Sequence, residues 1–282
     1  MSSNPPVSDI VRANIAVHTR MADAYVLDEP HYRPENKAKV RANLDRLSGQ
    51  TGTNRMLDIG CGAGFVIDQA RDLFDEIHGV DPTRAMLDKV DLSSGNITLH
   101  EGVAEHLPFE DASFDLVTAY SVFHHLADHR PVLREAARVL RPGGMLYVDL
   151  EPNQAFWRAV GDAETSHGDR LDELDETVAR EIRAVLHIED DVHERFEIDP
   201  LVFREAEYIK SELGGFDPDE FAADVQEAGF ASLTTTHEWF LGQGALLHGN
   251  SPENVEIVDG YLRRLLPMTA PLFKYLRFEA LR

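Results

Sequence analysis

Cysteine is almost absent: Cys61 stands alone in a chain of 282 residues. One thiol cannot close an intrachain disulfide or build a multi-cysteine metal site, and it suits a reducing, cytoplasmic setting. Lysine is nearly as scarce, with five against 22 arginines. No apolar run approaches the roughly 20 residues that a bilayer span requires, so no stable membrane insertion is expected. The opening "MSSNPPVSDIVRAN" lacks a basic stretch followed by an apolar one, and no signal peptide is expected. Bases are outnumbered, 27 to 50 acids, for a formal net charge of −23. Such a field repels phosphates, so nucleic acid is not the expected partner. An acidic, lysine-poor chain fits a salt-loving host. A GC-rich genome explains the arginine bias equally well, and both readings stay open.

What is present is rhythm. "PENKAKVRANLDRLSG" (34–49) reads as a helix, with Pro34 in its first turn and Val40, Leu44 and Leu47 on one face. Strands are expected at "RMLDI", "EIHGVD", "NITLHEG", "SFDLVTAYS" and "GMLYVDL", alternating with helices at "FVIDQARDLF", "TRAMLDKV" and "HRPVLREAARVL". That alternation predicts an α/β fold with a doubly wound, mostly parallel sheet. It breaks after Asp149. Residues 151–215 read as a helical insertion after strand 5, centred on "LDELDETVAREIRAVLHI" with Leu171, Leu174, Val178, Ile182 and Val185 on one face. The pattern resumes with a helix at 217–230 and a strand at "ASLTTTHEWFL", and "QGALLHG" is the best candidate for the last strand. From Glu253 onward a helical tail is expected, broken by Pro267 and Pro271. The chain thus divides into residues 1–150 (covering helices and ligand-binding core), 151–215 (a cap for substrate recognition) and 216–282 (the end of the sheet and the tail).

The stretch "MLDIGCGAGF" carries the chemistry. Gly60, Gly62 and Gly64 give up side chains at alternate positions directly after a buried strand. Glycine there permits positive φ and a close approach of a ligand to the backbone. In a doubly wound sheet ligands sit at the carboxyl ends of the strands. Asp81 ends the second strand, where a carboxylate can accept both hydroxyls of an adenosine ribose. A dinucleotide fingerprint would read G-x-G-x-x-G and hold a pyrophosphate. Here the pattern is G-x-G-x-G, and Asp58 would set negative charge against a diphosphate. A ligand bearing an ammonium or sulfonium fits better.

"LDIGCGAGF" resembles the first motif of the class I S-adenosylmethionine-dependent methyltransferases. "GVDPT", "EGVAEHLPFEDASFDLVTAYSVFHHLAD" and "VLRPGGMLYVDL" resemble their later motifs, in family order over residues 55–150. The resemblance implies S-adenosylmethionine as cofactor. It implies Gly60, Gly62 and Gly64 against the methionine part, Asp58 orienting the loop and the ammonium, and Asp81 with Pro82 at the ribose. It also places Ala104 and Glu105 at the adenine edge, with Val103 where relatives often carry Asp. Tyr120 and Ser121 would lie beside the amino-acid end and the methyl. "HTRMADAYVLDEPHYRPE" resembles the family's covering segment and offers Tyr25, Arg20 and Arg33 to the methionine carboxylate.

Transfer to oxygen or carbon profits from a general base. "FHHL" supplies His124 and His125 just after the fourth strand, His124 slightly ahead, and Glu151 is expected to point toward the mouth of the cleft. His187 and His193 flank "IEDDV", which reads as a solvated acidic loop in preference to a metal site, and no metal is expected. The enclosed layout implies an enzyme that methylates a small or medium organic molecule on O, N or C. A macromolecular acceptor, protein or RNA, and a non-catalytic cofactor-binding member are the alternatives. The tail is expected to pack across the domain or at a homodimer interface, ahead of a lipid-facing role.

Overall fold

A computed structural model describes residues 7–167, 176–186, 188–249 and 252–282 of the chain. Helices α1 (Val7–Met21), α2 (Tyr25–Asp28) and α3 (Pro34–Thr51) precede the first strand. The core then runs β1 (Arg55–Ile59), α4 (Phe65–Ala70), β2 (Glu76–Asp81), α5 (Arg84–Leu87), β3 (Ile97–Glu101), β4 (Phe114–Tyr120), α6 (Arg130–Val139) and β5 (Leu140–Pro152). After β5 the described residues form α7 (Gln154–His167), α8 (Glu176–Leu186), α9 (Ile188–Phe196), α10 (Pro200–Ala206) and α11 (Tyr208–Leu213). The chain closes with α12 (Pro218–Glu227), β6 (Ser232–Phe240), α13 (Gln243–Gly249), α14 (Pro252–Arg264) and β7 (Phe273–Leu281).

The seven strands form one sheet in the order β3-β2-β1-β4-β5-β7-β6. β1 to β5 pair in parallel, whereas β7 is antiparallel to both neighbours, with Val148 opposite Phe278 and Phe240 opposite Phe273. The order reverses between β1 and β4, so a crevice opens where these two strands end. All of β4 is buried, and β1 is buried from Met56 to Ile59, as helices on both faces require. Two clusters fill the faces: Leu57, Val117, Phe123 and Phe278 on one side, and Val40, Leu44, Leu47 and Ile67 on the other.

Local signals explain most boundaries. Pro34 sits at the start of α3, and Asp217 caps α12 by accepting from the amides of Asp219 and Glu220. Two sequence expectations are corrected. "QGALLHG" is helix α13, and the last strand is Phe273–Leu281, inside the tail expected to be helical. The tail is helical only over Pro252–Arg264. Phe273, Leu276, Phe278 and Ala280 are buried, while Lys274 reaches Glu181 at 2.7 Å and Arg277 reaches Glu238 at 3.3 Å. Those partners are far away in sequence, so the local pattern did not show the strand.

The described residues of 151–215 form helices α7 to α11, and "IEDDV" belongs to α9 instead of forming a loop. Leu171, Leu174 and His187 lie outside the described residues, as do the side chains of Val178 and Val185. Ile182 is buried with Phe156 and Val160. Further along, Val192, Ile198, Phe203 and Ala206 pack against Ala13, Val17 and Met21 of α1. Arg20 of α1 donates to the Phe196 carbonyl at 2.8 Å and to the Glu197 carboxylate at 2.7 Å. The second half of the insertion therefore lies against α1, near the carboxyl ends of the strands.

Candidate active site

The glycine turn leaves β1 with three consecutive alternate glycines in the left-handed region: φ is +63° at Gly60, +50° at Gly62 and +86° at Gly64. A Cβ on Gly60 would stand 2.5 Å from a methyl of Val122, so this glycine is required by close approach as well as by φ. Gly64 opens α4 in the αL conformation. Opposite the turn, Ser121 at the end of β4 also takes a positive φ, 59°, an unusual conformation for a non-glycine residue. Its amide donates to the Asp149 carbonyl at 2.8 Å, which holds the bend.

Two carboxylates frame this turn. Asp58 is 2% exposed, and one of its oxygens accepts from Thr118 Oγ1 at 2.7 Å. Burial first, and then the neighbouring charge of Asp81, push its carboxyl up to about 7. Asp81 accepts from the Gly62 amide at 2.9 Å and the Thr83 amide at 2.8 Å. Burial raises its carboxyl too, and those backbone donors oppose the rise. Each Asp81 oxygen retains a lone pair for a further donor.

A cavity of about 990 Å³, counted with its open mouth, joins these groups. Asp58, Gly60, Gly62, Asp81 and Pro82 line one part of it. Val103, Ala104 and Glu105 line another, and Tyr120, Ser121 and His125 a third. Tyr25 lines it from the covering segment. Gly64, Arg33, His124 and Glu151 are not among its lining residues. Arg33 is exposed at the start of α3, and Arg20 is spent on the insertion. Neither arginine stands at the cavity.

The covering segment contributes residues that sequence reasoning did not single out. His31 and Tyr32, adjacent in "EPHYRPE", complete an aromatic wall with Tyr25, Phe65 and Tyr120. The His31 ring centroid lies 5.8, 4.8, 5.0 and 5.7 Å from those of Tyr25, Tyr32, Phe65 and Tyr120. Burial lowers the His31 imidazole to about 4, so it is neutral at physiological pH. Among the described residues Tyr32 Oη is buried without a hydrogen-bond partner, although its ring lines the cavity. Asn14 and His18 of α1 also line the cavity, the His18 ring lying 6.0 Å from that of Tyr25 and 5.2 Å from that of His125. The signal for all of these was the covering segment itself. Only the fold shows which of its side chains turn inward.

Glu151 corrects an expectation. It is fully buried and does not point to the mouth of the cleft. One oxygen accepts from the amides of Val122 and Phe123, both at 2.9 Å; the other accepts from the His124 amide at 3.0 Å and meets His124 Nδ1 at 2.8 Å. Glu151 therefore builds the short 3-10 turn Phe123–His125. It also ties up the histidine that the sequence favoured as base. His125, the next residue, turns to the cavity.

His124, His125 and Glu207 form a group of three metal-capable side chains among the described residues. Hydrogen bonds already occupy much of that donor set: His124 is held by Glu151, His125 Nδ1 meets the Ala206 carbonyl at 2.9 Å, and Lys210 Nζ donates to Glu207 at 2.6 Å. His193 meets the Ile198 carbonyl at 2.9 Å.

Comparison with known proteins adds likenesses to methyltransferases. A model described as a methyltransferase domain matches residues 57–148. Over 102 residues the chain is 39% identical to an uncharacterized methyltransferase, YcgJ, of Bacillus subtilis (strain 168), covering 34% of this chain and 40% of that protein. Over 124 residues it is 40% identical to the demethylmenaquinone methyltransferase of Listeria welshimeri, covering 40% of this chain and 52% of the relative. In fold it is similar to phosphoethanolamine N-methyltransferase 2 of Haemonchus contortus, solved with S-adenosyl-L-methionine. That likeness has a TM-score of 0.57 at 17% identity and covers 100% of this chain and 60% of the other. The chain thus spans about half, or less, of the length of these curated relatives.

Proposed function

We propose that the chain, whose residues 57–148 match a methyltransferase-domain model, is a class I S-adenosylmethionine-dependent methyltransferase that transfers a methyl group to a small or medium organic molecule, on oxygen, nitrogen or carbon. The observation that carries this reading is the cavity shared by the Asp58–Asp81 pair and His125. A buried carboxyl raised to about 7 calls for a cationic partner, and the ammonium of the cofactor supplies one. Asp81, with its remaining lone pairs, fits the two ribose hydroxyls. The left-handed glycines let the backbone reach the ligand. Ala104 and Glu105 fit the adenine edge, and Tyr25 and Tyr32 fit the methionine end.

When bound, S-adenosylmethionine supplies a methyl group already activated by its sulfonium. The chain's work is to position the acceptor, exclude water and take a proton where the acceptor loses one. Tyr120, Ser121 and the aromatic wall shape the reacting end. Of the imidazoles at the cavity, His125 is the one on the turn after β4; burial, then the neighbouring His124, hold it well below its ordinary range, so it is neutral before transfer, with a lone pair available on the ring. The helices of 151–215 are read as a cap: they lie against α1 and reach the turn that carries His125. Enclosure of this kind suits an acceptor of limited size. The relative named for demethylmenaquinone, an organic acceptor, supports the same class.

Calorimetry with S-adenosylmethionine and with NAD is the direct test. Tight binding of the first and little of the second is expected, and preference for NAD would sink the assignment. A screen of metabolites with a methyl-labelled cofactor then identifies the acceptor. Labelled protein or RNA, with no labelled small molecule, would transfer the reading to a macromolecular substrate.

A further inference from the structure

The imidazole at the cavity is fixed from the insertion. His125 Nδ1 lies 2.9 Å from the carbonyl oxygen of Ala206. A carbonyl only accepts, so Nδ1 carries the hydrogen and Nε2 keeps its lone pair. Ala206 ends α10, and Glu207 follows it in the one-residue junction before α11. Glu207 is 8% exposed. One of its oxygens lies 3.5 Å from His125 Nδ1; the other lies 3.7 Å from His124 Nε2 and accepts from Lys210 at 2.6 Å. Burial opposes the charge on Glu207, but Lys210 first and then the two imidazoles hold its carboxyl well below the usual carboxylate range. Among the described residues, His124 on its own turn and His18 of α1 are further titratable neighbours of His125, and both oppose a positive charge there. Glu151 stands behind His124 and Lys210 behind Glu207.

We infer that Glu207 is a positioning residue for the proton-accepting histidine: with the Ala206 carbonyl it holds His125 with Nε2 free toward the cavity and stabilises the imidazolium formed there. This rests on the methyltransferase reading for its purpose, though not for its geometry. In the transfer, an acceptor X–H forms an X–CH₃ bond as the S–CH₃ bond breaks, and sulfur keeps that bonding pair. The proton of X–H passes to His125 Nε2, and the X–H pair stays on X. The new positive charge on the ring meets the Glu207 carboxylate 3.5 Å from Nδ1, in an interior where opposite charges interact more strongly than in water. His124 and His18 pull the other way, so the carboxylate is what makes protonation of a crowded, buried ring affordable. Both fixing groups come from residues 206 and 207. The base is therefore assembled only when the insertion is docked.

The test is ¹⁵N-imidazole NMR of the full chain with S-adenosylhomocysteine added, His125 signals being assigned by their loss in His125→Asn. Wild type is expected to show His125 as the neutral Nδ1–H form and to titrate well below an ordinary histidine. In Glu207→Gln, the titration moves about one pH unit lower still, because an opposite charge within a few ångströms has been removed. Glu207→Asp, which keeps the charge, is expected to restore most of that change. The inference is overturned by an Nε2–H form in the wild type, or by an unchanged His125 titration in folded Glu207→Gln. Stoichiometric zinc binding that shifts both imidazoles would overturn it as well, by making the cluster a metal site. Should Glu207→Gln fail to fold, the wild-type tautomer and the Asp variant still decide. Cofactor binding by calorimetry stands apart from all these outcomes, so failure of the methyltransferase reading is told from failure of this one.

Discussion

Asp58 is expensive to keep charged in the free protein. Its carboxyl rises from 3.8 to about 7, which is worth on the order of 4 kcal/mol between protonation states. A carboxyl raised on folding contributes stability that is fully present below the unfolded value and is lost as pH rises through the folded one. In ligand-free protein this loss therefore runs between about pH 4 and pH 7. Asp58→Asn escapes it and still offers an oxygen to Thr118. Thermal melts without ligand should show the variant gaining on the wild type as pH increases from 5 to 8. Its affinity for S-adenosylmethionine should fall at least about tenfold, the loss of one charge-assisted hydrogen bond. In the wild type, affinity should weaken as pH drops below about 7, because the proton competes with the ammonium. Asp81→Ala should cost about 1.5–3 kcal/mol of cofactor binding, measured by calorimetry. The two histidines divide differently. His125→Asn should lower turnover by about 10²–10⁴ with cofactor affinity intact. His124→Asn, buried against Glu151, should lower stability while the rate per folded molecule stays near normal.

Between strands, short turns carry the site, and their constraints are backbone ones. Gly60→Ala meets both a φ of +63° and a Val122 methyl at 2.5 Å, so it should destabilise by about 1–3 kcal/mol and weaken cofactor binding. Gly95→Ala is the control. Its φ is +78°, but nothing stands within 4 Å of the added carbon, so only the smaller backbone cost remains and binding is untouched. The Phe123–His125 turn is held from two sides, by Glu151 at the end of β5 and by Ala206 and Glu207 in the insertion. If the insertion caps the cleft, amides of α10 and α11 should gain hydrogen-exchange protection when S-adenosylhomocysteine binds. Equal exchange with and without ligand would remove the cap and leave these helices as packing for α1.

For the whole molecule, the last strand is the element that closes the fold. β7 lies between β5 and β6, and β6 has no other strand neighbour among the described residues. Removing residues 273–282 would strip Phe273, Leu276, Phe278 and Ala280 from the core and leave β5 and β6 with unpaired edges. Such a chain should fail to show cooperative unfolding by circular dichroism, although the methyltransferase-domain motifs lie entirely before it. At the level of bulk properties, no helix of the described residues is long and apolar enough to cross a membrane.

The parts legible from sequence were those set by near neighbours. Alternating apolar strands and helices, the glycine spacing after "MLDI", and acids at two strand ends encode a doubly wound sheet and a ligand turn. Each depends on a few consecutive residues whose backbone or burial needs are local. Tertiary structure decided what depended on distant partners. "QGALLHG" and the tail exchanged strand and helix roles because β7 takes its hydrogen bonds from β5 and β6, far back in the chain. Glu151 and His125 exchanged prominence for the same reason. A glutamate after a strand looks free until three amides and an imidazole from another turn close on it. A histidine becomes a candidate base only when a carbonyl 81 residues onward fixes its hydrogen. Glu207 carried no signal at all, since a lone acid in an acidic helical segment is indistinguishable from its solvated neighbours until packing buries it.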